Sequence, residues 1–205
     1  MPNWCQNGAT FTHEDPAMIT RIADAYKEDN LFKEFVPCPP ELLITEEIGE
    51  NFNERVAARE EANVEKFGVT DWYMWSVNNW GTKWDISSDD SEPTKQDLNS
   101  IMLSFNTAWS PPIGFYEKMT ELGFDVVAYY LEEGMGFVGK YTNEDGDDEY
   151  TFDGREDLED IPDDVRTFWD LDTICDWRDE DEQMDDETYA ADEDEEEEEE
   201  EEESK

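Results

Sequence analysis

The chain has 205 residues, 13% of them aromatic with eight Trp, and sets 59 Asp and Glu against 14 Lys and Arg for a formal net charge of -45. That length supports one core domain with appendages. The charge argues against direct binding to nucleic acid or an anionic membrane, and it favours basic surfaces through a field that salt weakens.

The charge is unevenly placed: residues 1–140 hold 25 acidic and 10 basic side chains, and residues 141–205 hold 34 and 4. No window approaches the roughly 18 apolar residues of a membrane span, and MPNWCQNGATF lacks the cationic start and apolar run of a leader, so a cytoplasmic location is expected. Cys5, Cys38 and Cys175 are odd in number and far apart, which suggests reduced thiols and neither a disulfide framework nor a zinc site.

A first strand is expected over 4–13, with Ala9 and Phe11 on one face. It ends at THEDP, where Asp15 suits a helix N-cap and Pro16 the first helical position. Met18, Ile19, Ile22, Ala23 and Tyr26 then recur at helical spacing. Residues 30–52, with VPCPPELL, look irregular, because adjacent prolines remove donors and force an extended path. A charged helix over 53–67 has Val56, Val64 and Phe67 as its apolar points. DWYMWSVNNWG suggests a short helix stopped by Gly81.

WDISSDD is expected as a short strand, and Ile101, Leu103 and Phe105 mark a clearer one. In TAWSPPIGFYEKMTELGF, Ser110 is placed as N-cap, Ile113, Tyr116, Met119 and Leu122 as the apolar stripe, and Gly123 as the stop. FDVVAYYL is apolar on both faces, as a covered strand would be, and MGFVGKY follows as its hairpin partner. Asp145-Gly146 marks a second hairpin, and 155–170 a helix ending on Phe168 and Trp169. From 178 onward Asp and Glu dominate, and self-repulsion without apolar surface predicts a disordered acidic tail.

This order predicts an α+β fold, a ferredoxin-like split βαβ sandwich with an extra edge hairpin. The expected divisions are a ferredoxin-like domain over 1–154 with a helical insertion at about 30–83, an acidic helical extension over 155–177 and the tail over 178–205.

PNWCQN (2–7), NNWGTKWD (78–85) and FNTAWSPP (105–112) resemble the landmarks of the YubB-like ferredoxin-fold family of phages and conjugative plasmids. The resemblance covers roughly residues 1–140 and implies fold, a mobile-element origin and a bacterial host cell, without an established activity. The acidic tail is an addition to it.

NNWGTKWD has two readings. In the preferred one it is a helix-to-strand corner whose indoles plug the core, with Lys83 and Asp85 pairing across a turn. In the other, Trp80, Lys83, Trp84 and Trp109 form a ligand pocket. His13, the sole histidine, sits before a helix cap without the partners that acid and base work needs. No G-x-S-x-G elbow, phosphate-binding loop or paired histidines occur, so neither a catalytic constellation nor a cofactor is implied. The run 143–154 fails as a calcium loop, since neither glycine places a glutamate twelfth.

The remaining signal is acidic. Such runs are commonly solvating tails. The sharper reading is that carboxylates at roughly 3.3 Å spacing along an extended chain approximate one phosphate strand and fill a basic groove. The candidate partner-binding residues are Asp145, Asp147, Asp148, Glu149 and Asp153 at the end of the sheet, and Glu156, Asp157, Glu159, Asp160, Asp163 and Asp164 after it. Asp179, Glu180, Asp181 and Glu182 follow at the start of the tail. The expected function is thus a non-enzymatic nucleic-acid mimic aimed at a basic host protein that handles nucleic acid or serves in defence. The alternatives are an enzyme or small-ligand domain using the Trp-rich corner, and an assembly component whose tail prevents aggregation.

Overall fold

The computed structural model describes residues 3–88 and 91–181. The chain divides after Thr151 into two compact units.

The first unit is α+β, and its sheet is ordered β2-β3-β1-β4-β5-β6 with every neighbour antiparallel. The strands are β1 (Trp4–Thr12), β2 (Thr94–Lys95), β3 (Ser100–Ala108), β4 (Asp125–Glu132), β5 (Phe137–Thr142) and β6 (Gly146–Thr151). With α1 (Pro16–Lys27) and α5 (Ile113–Glu121), β1 to β4 form the expected ferredoxin-like plan, and the β5–β6 hairpin extends one edge.

Register explains which face is buried. Ala9 sits between Leu103 and Ala128, and Phe11 between Ile101 and Val126, so the odd residues of β1 share a face with apolar partners on both sides. Ile19, Ile22 and Tyr26 of α1 and Phe115, Tyr116 and Met119 of α5 belong to the same core cluster. Phe11 lies 6.3 Å from each of the rings of Phe115, Tyr116 and Phe124. Asp15 caps α1 as expected, its Oδ1 accepting from Ala17 N at 2.9 Å.

Several local expectations need correction. Residues 30–52 are not wholly irregular: α2 (Leu31–Phe35) and a 3-10 turn (Pro40–Leu43) occur there. In WDISSDD the described residues 84–88 form no ladder; they contribute a single bridge, Ser87 to Asn106, and Asp85 is turned to the amides that open α2. In α3 (Phe52–Phe67) the inward residue is Asn63, whose Nδ2 donates to Thr70 O at 2.7 Å, while Val64 is 48% exposed and Val56 and Phe67 are only half-buried. Ser110 is not the N-cap of α5, which begins after Pro112, and Leu122 is exposed while Phe115 takes the inward position.

α4 (Trp72–Trp80) forms as expected, with Asp71 Oδ1 accepting from Met74 N and Gly81 ending it at φ +88°. A Cβ on Gly81 would lie 2.9 Å from Ile113 N, and one on Gly114 would lie 2.9 Å from Asn79 O. Only glycines allow this backbone-to-backbone approach, which fixes the end of α4 against the start of α5.

In the second unit, the expected helix over 155–170 splits at Pro162 into a 3-10 turn (Arg155–Glu159) and α6 (Asp163–Trp169). Residues 171–181 form α7. Residues 178–181, expected within the tail, are therefore helical. The rest of that expectation, 182–205, lies outside the described residues. The buried side chains of this unit include Phe152, Leu158, Ile161, Val165, Leu171 and Cys175. Among the described residues no helix is long and apolar enough to cross a membrane.

Candidate functional site

The three sequence blocks, far apart in the chain, meet at one corner of the first unit. Trp109 N donates to Asn3 O at 2.9 Å, Thr82 Oγ1 to Ala108 O at 2.9 Å and Ser110 Oγ to Gly81 O at 2.7 Å. Ser110 thus ties two blocks together instead of capping a helix. Asn7 Nδ2 adds a bond to Thr107 Oγ1 at 2.9 Å. Buried backbone acceptors left open by the ends of α4 and β3 are met by these hydroxyls.

Lys83 and Asp85 do not pair. The Lys83 ammonium lies over three rings, 4.6 Å from the centroid of Trp84, 5.4 Å from Tyr73 and 5.5 Å from Trp109. Trp84 and Trp109 are themselves 5.5 Å apart, and Trp109 holds a φ of +66°, a strained value for a bulky side chain. Asp85 instead accepts from Phe32 N at 2.8 Å, Lys33 N at 3.0 Å and Ile86 N at 3.0 Å. Burial raises its carboxyl above the ordinary range, against the opposing pull of those amides.

Of the four residues expected to form a pocket, Trp84 and Trp109 gather on the Lys83 ammonium and Trp80 does not. Trp80 turns into the core, its Nε1 donating to Val36 O at 2.9 Å and its ring 5.7 Å from Phe32. Beside this corner is a cavity of about 500 Å³ whose walls include Leu43, Trp72, Trp80, Lys83 and Trp84. Trp109 is not among its lining residues. NNWGTKWD is therefore both a structural corner and a cavity wall. Trp72, Leu43 and Lys33 were missed as site residues; DWYMWSVNNWG pointed to a helix but not to the face of it that meets a cavity.

His13 is structural: its Nδ1 accepts from Asp15 N at 3.0 Å and its ring lies 4.6 Å from Phe124. Burial pushes the Cys5 thiol well above its ordinary value.

The acidic candidates of the first unit lie on the β5–β6 hairpin. Asp145 caps the turn through Thr142, and Asp148 pairs in register with Lys140. Asp147 Oδ1 accepts from Tyr130 OH at 2.7 Å, a reach across β5 made possible by Gly139. A Cβ at Gly139 would lie 2.3 Å from the Tyr130 ring. Burial, and then the charges of Asp148 and Glu117, raise the Asp147 carboxyl, while the Tyr130 hydroxyl opposes that shift. Burial and Asp147 likewise raise Glu149.

Between 152 and 181 the second unit carries 13 acidic side chains and three arginines. Arg155 binds Asp176 at 2.6 Å and Asp179 at 2.8 Å, Arg166 binds Asp172, and Arg178 donates to Asp153 O at 3.1 Å while lying over Phe152. Asp157 Oδ2 accepts from Asp153 N at 2.7 Å and Gly154 N at 3.2 Å, so this carboxylate serves the local turn. Glu156, Glu159, Asp160, Asp163, Asp164, Glu180 and Asp181 are exposed, and Glu182 lies outside the described residues.

No family model matches the chain, and no curated protein matches it. Among solved structures it is similar to the crystal structure of a protein api92 from Yersinia pseudotuberculosis, placed in family model DUF1281. The identity is 10% and the TM-score 0.41, over 74% of this chain and 98% of that one.

Proposed function

We propose that this protein is a non-enzymatic acidic binding protein of a phage or mobile element, acting in the cytoplasm of a bacterial host. It mimics nucleic acid and occupies the basic groove of a host nucleic-acid-binding or defence protein. The observation that carries this reading is the arrangement of residues 152–181, where 13 acidic side chains face three arginines and each arginine is already engaged within the unit. The exposed remainder is a folded anionic surface, which loses less ordering entropy on binding than a flexible chain does. The three blocks that resemble YubB-like proteins support the mobile-element origin, and their convergence in one corner gives that shared pattern a structural reason.

The test is capture by the full chain from a bacterial lysate at low and high salt, followed by competition with duplex DNA. A basic partner that is retained at low salt, lost at high salt and displaced by DNA is the expected result. A partner indifferent to duplex DNA, or none at low salt, overturns the reading. Removing residues 178–205 weakens capture, and Trp84→Ala leaves it unchanged.

A further inference from the structure

Among the described residues, those that line the cavity beside the tryptophan corner belong to the segment between α1 and β3, from Asp29 to Ile86. The ferredoxin-like strands and α5 contribute none of them. At about 500 Å³ it has the size of a small-molecule site, and the indoles of Trp72, Trp80 and Trp84 give it flat apolar walls.

Four charged residues line it, and they are not equivalent. Asp85 has both oxygens occupied by the amides of Phe32, Lys33 and Ile86. Asp29 Oδ1 accepts from Ser88 N at 3.1 Å. The two lysines are differently placed. Lys33 Nζ comes no nearer than 3.9 Å to Asp85, beyond hydrogen-bond length, and Lys83 Nζ rests on three aromatic faces with no carboxylate in reach among the described residues. In a chain where acids outnumber bases 59 to 14, a lysine seated on aromatic rings and not on a carboxylate is available to an anion from outside.

We propose that this cavity binds a planar aromatic molecule bearing one anionic group, with the ring between the indoles and the anion on Lys83 and Lys33. This site is independent of the acidic surface. The net charge of -45 attracts cations and repels anions at long range, so an anion preference here has to be local in origin.

Three probes sharing one ring separate the possibilities: 1-naphthoate, 1-naphthamide and 1-naphthylmethylammonium, titrated into the full chain in 150 mM salt with tryptophan fluorescence and calorimetry. The expected order is naphthoate tightest, at least tenfold above the ammonium. Lys83→Gln brings naphthoate down to the amide without weakening the amide itself. Lys33→Gln, on a mostly exposed side chain, does the same in part and serves if the first variant fails to fold. Trp72→Ala weakens all three probes. Equal or tighter binding of the ammonium, no saturation by naphthoate at millimolar concentration, or a naphthoate affinity unmoved by both lysine variants overturns the assignment.

Discussion

The two units differ in what most of their structural carboxylates bind. In residues 3–151, four carboxylates organise local structure through backbone amides or a hydroxyl: Asp15 holds α1, Asp71 holds α4, Asp85 holds α2 and Asp147 holds Tyr130, while Glu34, Glu46 and Glu41 pair with Arg21, Arg55 and Lys66. In residues 152–181 the arginines do most of the holding, and each gathers acidic side chains or a carbonyl while the exposed carboxylates remain in surplus. Where a carboxylate organises amides it shapes the backbone, and where it only meets arginine it leaves a charged surface. The first unit thereby acquires a cavity with local charge, and the second a polyanion.

The sharpest division lies within the tryptophans of the first unit. Trp80 is 3% exposed and hydrogen-bonded in the core, so Trp80→Ala costs about 3–5 kcal/mol by denaturant unfolding. Trp84 is 39% exposed, and Trp84→Ala costs about 1–2 kcal/mol while releasing the Lys83 ammonium. Equal losses would erase the distinction between core and cavity rim.

Gly81→Ala comes next, since it adds a Cβ against the backbone of Ile113 at a φ of +88°. The expected loss is about 1–3 kcal/mol, read as a lower Tm, and Gly114→Ala lowers Tm for the same contact without the dihedral strain. A silent Gly81→Ala would mean that α4 and α5 are not held together there.

Tyr130→Phe removes the donor to Asp147 and costs about 1–3 kcal/mol. Asp147→Asn acts the other way. The folded carboxyl is raised, so the fold favours its protonated form; that contribution is complete below the unfolded value and is lost as pH rises through the raised one. The asparagine variant therefore gains on the wild type as pH climbs from about 4 to 7, and the difference closes below the ordinary Asp range near 4. Unfolding midpoints across that range check the sign, and a gap that widens on acidification contradicts it.

How much of this was legible in the sequence follows from the range of the interactions. β1, α1, β3, β4 and the Asp145-Gly146 hairpin were visible because each is set by local periodicity or turn chemistry. α2 was not, because it spans five residues and its capping carboxylate, Asp85, lies 53 residues beyond Phe32. Asn63 and Val64 are neighbours, and periodicity alone could not set the helix phase between them once Thr70 offered Asn63 an acceptor. The clustering of tryptophans was plain, yet the partners that hold Trp80 in the core, Val36 O and the Phe32 ring, lie more than forty residues earlier in the chain. The acidic surplus could be counted directly, whereas the partners of Arg155, Arg166 and Arg178 needed three dimensions.

The smallest effect tests the second unit alone. Arg155 is exposed and holds Asp176 and Asp179, and those carboxylates reinforce its own protonated form. Exposed pairs of this kind add little stability, so Arg155→Gln leaves the unfolding midpoint nearly unchanged. It removes one positive charge and frees two carboxylates, so the full chain binds a polylysine surface more tightly at low ionic strength. Salt screens that gain, and the variant and the wild type converge once the Debye length falls to about 3 Å near 1 M. A variant that binds polylysine no better than the wild type at low salt would mean that Asp176 and Asp179 stand outside the anionic surface, leaving Glu156, Glu159, Asp160, Asp163, Asp164, Glu180 and Asp181 among its exposed carriers.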